Sequence, residues 1–142
     1  MLSQRLAVPA LVADPVGRRV LTPGESINAI TVGAVHDARS RFVQTSDRLD
    51  LFPAHGIPPY SCIGHGFRRA VKPDILMPGG RVLHRERYTG DPGITELQLI
   101  NTSAAPGHRV AAPPDSSGQN TKYARGTSNA TALATRGAAQ AH

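Results

Sequence analysis

Tryptophan is absent from this 142-residue chain, and aromatic residues make up 4% of it. Large aromatic anchors therefore cannot carry the core. A single cysteine, Cys62, excludes an internal disulfide and a multi-cysteine metal site. His36, His84, His108 and His142 fall in no metal-ligand spacing, so neither a metal nor any other cofactor is expected. No apolar run is long enough to cross a bilayer. The first fifteen residues, MLSQRLAVPALVADP, carry one arginine and an apolar patch broken by Pro9, a poor secretory signal that leaves the compartment open. Acidic residues are the scarcer charge, 10 against 16 Lys and Arg, for a formal net charge of +6. The arginines are scattered through 18–19, 39–41, 68–69, 81–87 and 125–136. They build no basic helix and no aromatic–basic alternation, so they read as a solvated surface rather than a nucleic-acid site. Neither a nucleic-acid nor a membrane partner is expected.

Breakers are plentiful: 14 glycines and 12 prolines predict a loop-rich chain. LAVPALVADP (6–15) is a short apolar segment ending in a turn, and GRRVLTPGES (17–26) reads as a loop. INAITVGAVHD (27–37) is the best strand candidate. Its apolar, β-branched centre, Ala29 to Val35, fits a strand covered on both faces, as in a parallel sheet. Residues 38–59 are polar and broken by Pro53, Pro58 and Pro59, which predicts a surface excursion. DILMPGG (74–80) reads as a short buried strand running into a Gly–Gly turn. RVLHRERY (81–88) and TELQLINT (95–102) alternate apolar with polar residues as half-exposed strands do, with GDPG (90–93) as the turn between them. Residues 103–121 are expected to be a flexible connection. The Ala-rich run from Thr127 to Ala141 is helix-competent.

Three segments, in this order, resemble the C-terminal part of the catalytic domain of subtilisin-like serine peptidases, the subtilases. They are NAITVGAVHD (28–37), PYSCIGHGFRRAVKPDILMPGG (59–80) and GTSNATALATRGAA (126–139). The resemblance spans about residues 22–142. It implies an α/β fold: a partial, loop-rich, parallel sheet with a buried C-terminal helix. Residues 1–26 would be an N-terminal extension or loop, and 27–142 the C-terminal portion of the catalytic domain.

The third segment looks like the catalytic-serine signature, with Ser128 as nucleophile and Gly126 and Thr127 in the substrate and oxyanion neighbourhood. A serine at a helix N-terminus meets free backbone N–H groups and the positive end of the helix dipole, which favour a developing oxyanion. Small residues at 130, 132, 134, 138 and 139 would let the helix pack against a sheet. Taken alone, the segment reads rather as Ser128 or Thr127 capping an Ala-rich helix; the two upstream segments turn the reading to the nucleophile. The signature also departs from the family. Asn129 stands where Met is usual, and Ala132-Leu133 where Pro-His is usual.

A serine needs an adjacent base, itself oriented by a third group. In the family the Asp and His precede the strand matched by residues 29–35. The 28 residues before it here contain no His, and their one Asp, Asp14, lacks the family's context. The oxyanion Asn also lies upstream in the family, so Asn28 reads as structural. His55 and His65 read as loop residues, and the Cys62–His65 spacing as chance. The resemblance thus implies a fragment of a serine endopeptidase acting on a peptide or protein substrate through an acyl-enzyme, inactive without an N-terminal half supplying Asp and His. The alternatives are a non-catalytic remnant acting as an interaction module, or one half of a split protease.

Overall fold

The structure, a computed structural model, describes residues 17–41, 45, 47–65, 67–91 and 94–141. The apolar segment at 6–15, the second half of the GDPG turn (92–93) and residue 142 lie outside these residues. In chain order the strands are β1 (Val32–Val35), β2 (Gly64–His65), β3 (Val71–Lys72), β4 (Ile75–Pro78), β5 (His84–Tyr88), β6 (Thr95–Leu99), β7 (His108–Ala111) and β8 (Thr121–Ala124). A long helix, α1 (Thr127–Gln140), follows β8.

Two of the expected strands pair with each other, as a parallel sheet requires. β1 and β4 run parallel, in register from Val32 opposite Ile75 to Val35 opposite Pro78. The Lys-Pro-Asp step before β4 sets this register. The Asp74 carboxylate accepts the Thr31 backbone N–H at 2.7 Å and the Lys72 ammonium at 2.7 Å, while the same ammonium reaches the Ala29 carbonyl at 3.1 Å. Charge-assisted bonds of this kind are about twice as strong as neutral ones, and they join the run-in of β1 to the run-in of β4. Ser61 adds a further tie, its buried hydroxyl accepting the Ala34 N–H at 2.9 Å.

α1 lies across β1 and β4. The expected burial of this helix is met along one stripe only: Ala130 is fully buried, whereas Ala132, Ala138 and Ala139 are exposed. Two paired strands, about 5 Å apart, give a platform too narrow to cover more of the helix. The expected coverage of the 29–35 run on both faces and the expected burial of β4 also fail in part. Ile75 and Leu76 remain about two-fifths exposed, and the apolar run before β1 leaves Ile30 in solvent.

Two further expectations are corrected. Residues 38–59 are not a surface excursion throughout, because Leu51 and Phe52 form the apolar core with Val82, supported by Leu49, Tyr60 and Leu97. Residues 103–121, expected as a flexible connection, contain a strand. They contribute β7, which pairs antiparallel with β8 from His108 opposite Ala124 to Ala111 opposite Thr121. A turn at 115–119 closes that hairpin, where the Asp115 carboxylate accepts the Ser117 and Gln119 backbone N–H groups. The other hairpin is as expected in outline: β5 and β6 pair antiparallel, with the strand starting at His84 rather than at Arg81.

Candidate functional site: a serine turn on a glycine rail

Gly126, Thr127 and Ser128 sit where β8 gives way to α1. Gly126 is the N-cap, at φ 144°, and no side chain caps the helix. That backbone conformation strains any residue with a Cβ, so a glycine is needed here. The capping role open to Ser128 or Thr127 is therefore not taken. Both lie inside the first turn, Thr127 half-buried and Ser128 exposed. Away from the site, the hydroxyls of Thr131 and Thr135 bond back to the carbonyls of Thr127 and Thr131, each at 3.0 Å.

The turn is held from below by a second glycine. The Gly126 N–H donates to the Gly79 carbonyl at 2.8 Å, and the Gly79 N–H donates to the Val35 carbonyl at the end of β1 at 3.1 Å. A Cβ on Gly79 would stand 2.4 Å from Cβ of Ala34. Only a glycine admits this approach, which links β1 to the serine turn through a backbone rail. Tyr60 supports the rail, its phenol donating to the Gly80 carbonyl at 2.9 Å. Burial pushes the Tyr60 phenol up to about 12, with the Arg125 charge acting against it. The phenol therefore stays a donor across the ordinary pH range.

Arg125, next to the turn, ties down the 102–106 loop. Its guanidinium donates to the carbonyls of Thr102 at 2.8 Å, Ala104 at 3.1 Å and Pro106 at 2.8 Å. Gly79, Tyr60 and Arg125 were not singled out from the sequence; the Gly–Gly turn closing DILMPGG was the one available signal. Beside Thr127 opens a recess of about 270 Å³ with mainly apolar walls, among them Val20, Leu21, Val32 and Pro73. A larger open recess of about 630 Å³ runs along the β7–β8 hairpin and takes no lining residue from α1.

No hydrogen bond or ion pair joins Ser128 to a His, Asp or Glu among the described residues. Each described histidine is placed elsewhere. His36 is buried against Asp50, His84 is buried near Phe52, and His108 faces the Pro78 carbonyl. His55 and His65 are exposed, His55 3.8 Å from Asp37 and His65 near the Arg69 carbonyl. Cys62 is exposed and unpaired. Among the described residues, no group of three or more His, Cys, Asp or Glu could hold a metal ion. No helix is long and apolar enough to cross a membrane there.

With this geometry in hand, the comparisons with known proteins point one way. A family model described as the Subtilase family matches residues 12–142. No curated protein and no solved structure matches the chain.

Proposed function

The chain belongs to the subtilase family, and on that premise we propose that Ser128 is the nucleophile of a serine endopeptidase site that this chain carries only in part. The supporting observation is the exposed serine inside the first turn of α1, behind a glycine N-cap fixed by the Gly79 rail. At that turn the Asn129 N–H donates to the Gly126 carbonyl at 3.2 Å, while the Ser128 N–H, one residue earlier, has no acceptor four residues back within the helix. In the proposed reaction the Ser128 hydroxyl attacks the scissile carbonyl and passes its proton to a base. As the peptide C–N bond breaks, the amine leaves with that proton and the acyl-enzyme ester forms; water, deprotonated by the same base, then attacks the ester, freeing the acid and returning the Ser128 hydroxyl. The backbone N–H of Ser128 would donate to the oxyanion. The recess beside Thr127 suits an apolar side chain of the peptide.

The base and its orienting carboxylate come from outside residues 17–141 in this reading, either from an N-terminal half of the same enzyme or from a second polypeptide. The alternative, a non-catalytic interaction module, draws on the same absence of a base beside Ser128. A serine-directed fluorophosphonate probe separates them. The chain alone should label little or not at all. The chain joined to, or mixed with, an upstream subtilase half should label at Ser128 and hydrolyse peptides, and Ser128→Ala should abolish both. Hydrolysis by the lone chain that needs Ser128, or full hydrolysis by the restored protein without Ser128, would overturn the proposal. Persistent silence of the completed protein would favour the interaction module.

A further inference from the structure

Away from the serine turn, the chain buries three titratable groups, His36, Asp50 and His84, with a half-buried Arg81 beside them. His36, fully buried at the end of β1, has its Nε2 2.6 Å from Oδ1 of Asp50, itself buried. The other carboxylate oxygen of Asp50 accepts from the Arg81 guanidinium. Phe52 packs against both His36 and His84, with ring centroids 5.6 and 5.7 Å away. The Nδ1 atoms of His36 and His84 are buried with no hydrogen-bond partner among the described residues.

These side chains join three pieces of backbone. The His36 N–H donates to the Gly56 carbonyl at 2.6 Å, and the His55 N–H returns to the His36 carbonyl at 3.1 Å. Leu49 and His84 exchange backbone bonds at 2.7 and 2.8 Å. Arg81 follows Gly80 directly, and the Gly80 N–H is bound to the Asp37 carbonyl at 2.8 Å. The cluster therefore fixes residues 49–56 between β1 and β5 and grips the chain just beyond the glycine rail.

We propose that this cluster is an acid-sensitive latch, which holds residues 49–56 and the Gly79–Arg81 run in place near neutral pH and releases them on mild acidification. A single carboxylate, Asp50, already serves a guanidinium and an imidazole. A proton on His84 adds a cation with no carboxylate of its own, and turns its unpartnered Nδ1 into a buried, unsatisfied N–H. Such a group costs its full desolvation penalty. His84 faces His36 at the end of β1 and Asp50 in the 49–56 segment. From β6 it meets Leu99 opposite, the nearest carboxylate of that strand, Glu96, standing opposite Arg87. Burial first, and then His36, hold the His84 imidazole below its ordinary value, against the pull of Asp50.

A depressed histidine makes no contribution above about pH 6.5, where it is neutral folded and unfolded alike. As pH falls below that value the open state takes up the proton and the closed state does not, so the latch weakens. The loss stops growing once pH passes the depressed value of the closed state. The latch stands on the buried cluster and is independent of the role of Ser128.

The test is amide hydrogen exchange on the 142-residue chain at pH 7.5 and 5.5, corrected for intrinsic rates. Protection at His36, Leu49, His55 and His84 should fall by up to about tenfold per pH unit below 6.5. The Ala112 amide, bonded to the Asn120 carbonyl in the distant hairpin, should change little. His84→Leu should keep the neutral-pH protection and lose its acid sensitivity. Equal latch protection at both pH values would overturn the proposal, as would undiminished acid loss in a folded His84→Leu. Should that variant fail to fold, NMR titration of His84 in the native chain decides: a pKa clearly below 6.5 supports the latch, and one at or above 6.5 overturns it.

Discussion

The serine turn and the buried histidine cluster are opposite constructions, although the Gly79–Arg81 run serves both. The turn is made of backbone and small residues: a glycine N-cap, a glycine rail and an exposed hydroxyl with no charged neighbour bonded to it. The cluster is made of side chains, and it contains the imidazole–carboxylate pair that a serine would need as its base. That pair is closed to such a role. His36 spends its Nε2 on Asp50, and its Nδ1 is buried in the core beside Phe52. Among the described residues the chain thus presents an exposed serine with no bonded base in one region and an imidazole–carboxylate pair with no serine at its free nitrogen in the other. Proximity in a fold does not make a catalytic set; the free nitrogen has to point at the hydroxyl.

Mutation can separate the two regions. If the proposed role of Ser128 holds, the largest effect is expected from Ser128→Ala in the chain joined to an upstream subtilase half, a loss of several orders of magnitude in peptide hydrolysis, with no shift in melting temperature because the side chain is exposed. Asp50→Ala should do the reverse. It leaves the Arg81 guanidinium and the His36 imidazole without their shared acceptor, and removing one member of a buried pair costs about 3–5 kcal/mol. Urea unfolding of the chain measures this, and a change below about 1 kcal/mol would mean that the cluster is hydrated rather than buried. Gly79→Ala tests the rail where the regions meet. Its new Cβ would stand 2.4 Å from Cβ of Ala34, an overpacking expected to cost about 1–3 kcal/mol. The Gly126 amide should lose exchange protection in the same variant; unchanged protection would show that the rail does not hold the turn.

What the sequence disclosed follows the same division. The parallel pair of Val32–Val35 with Ile75–Pro78 and the start of α1 at Thr127 were legible because apolar runs, glycine steps and small-residue runs are local signals. The Subtilase match agrees with the resemblance carried by those same segments. The cluster was not legible. His36, Asp50, Arg81 and His84 look like surface residues one at a time, and only their mutual pairing makes burial tolerable. Leu51 and Phe52 were hidden for a related reason: the prolines and charges around them mask a short apolar step that points inward. The β7–β8 hairpin escaped because HRVA and TKYA are four-residue strands separated by turn-forming residues. The helix was read as too deeply buried, since small residues permit close packing without requiring it.

The smallest expected effect gives the serine side a pH signature of its own. Asp74 anchors the start of the β1–β4 pair, and its carboxyl is held below the usual carboxylate range, first by the Lys72 ammonium and then by the Thr31 backbone N–H. A depressed carboxyl stabilises the fold above its unfolded value of about 3.9, and that contribution is lost as pH falls through the lower folded value. Asp74 is well exposed, so solvent screening keeps the effect small. Asp74→Asn should therefore lower unfolding stability slightly at pH 7, and the gap to the native chain should close below about pH 4. The cluster around His84 responds in a different window, beginning below about pH 6.5. Acid should then act in two steps, first on the segment at residues 49–56 and only later on the strands beneath Ser128. Unfolding curves of the native chain and Asp74→Asn, recorded from about pH 7 to pH 2, test the order. A gap that persists unchanged to the lowest pH would mean that the Asp74 carboxylate contributes nothing through its charge.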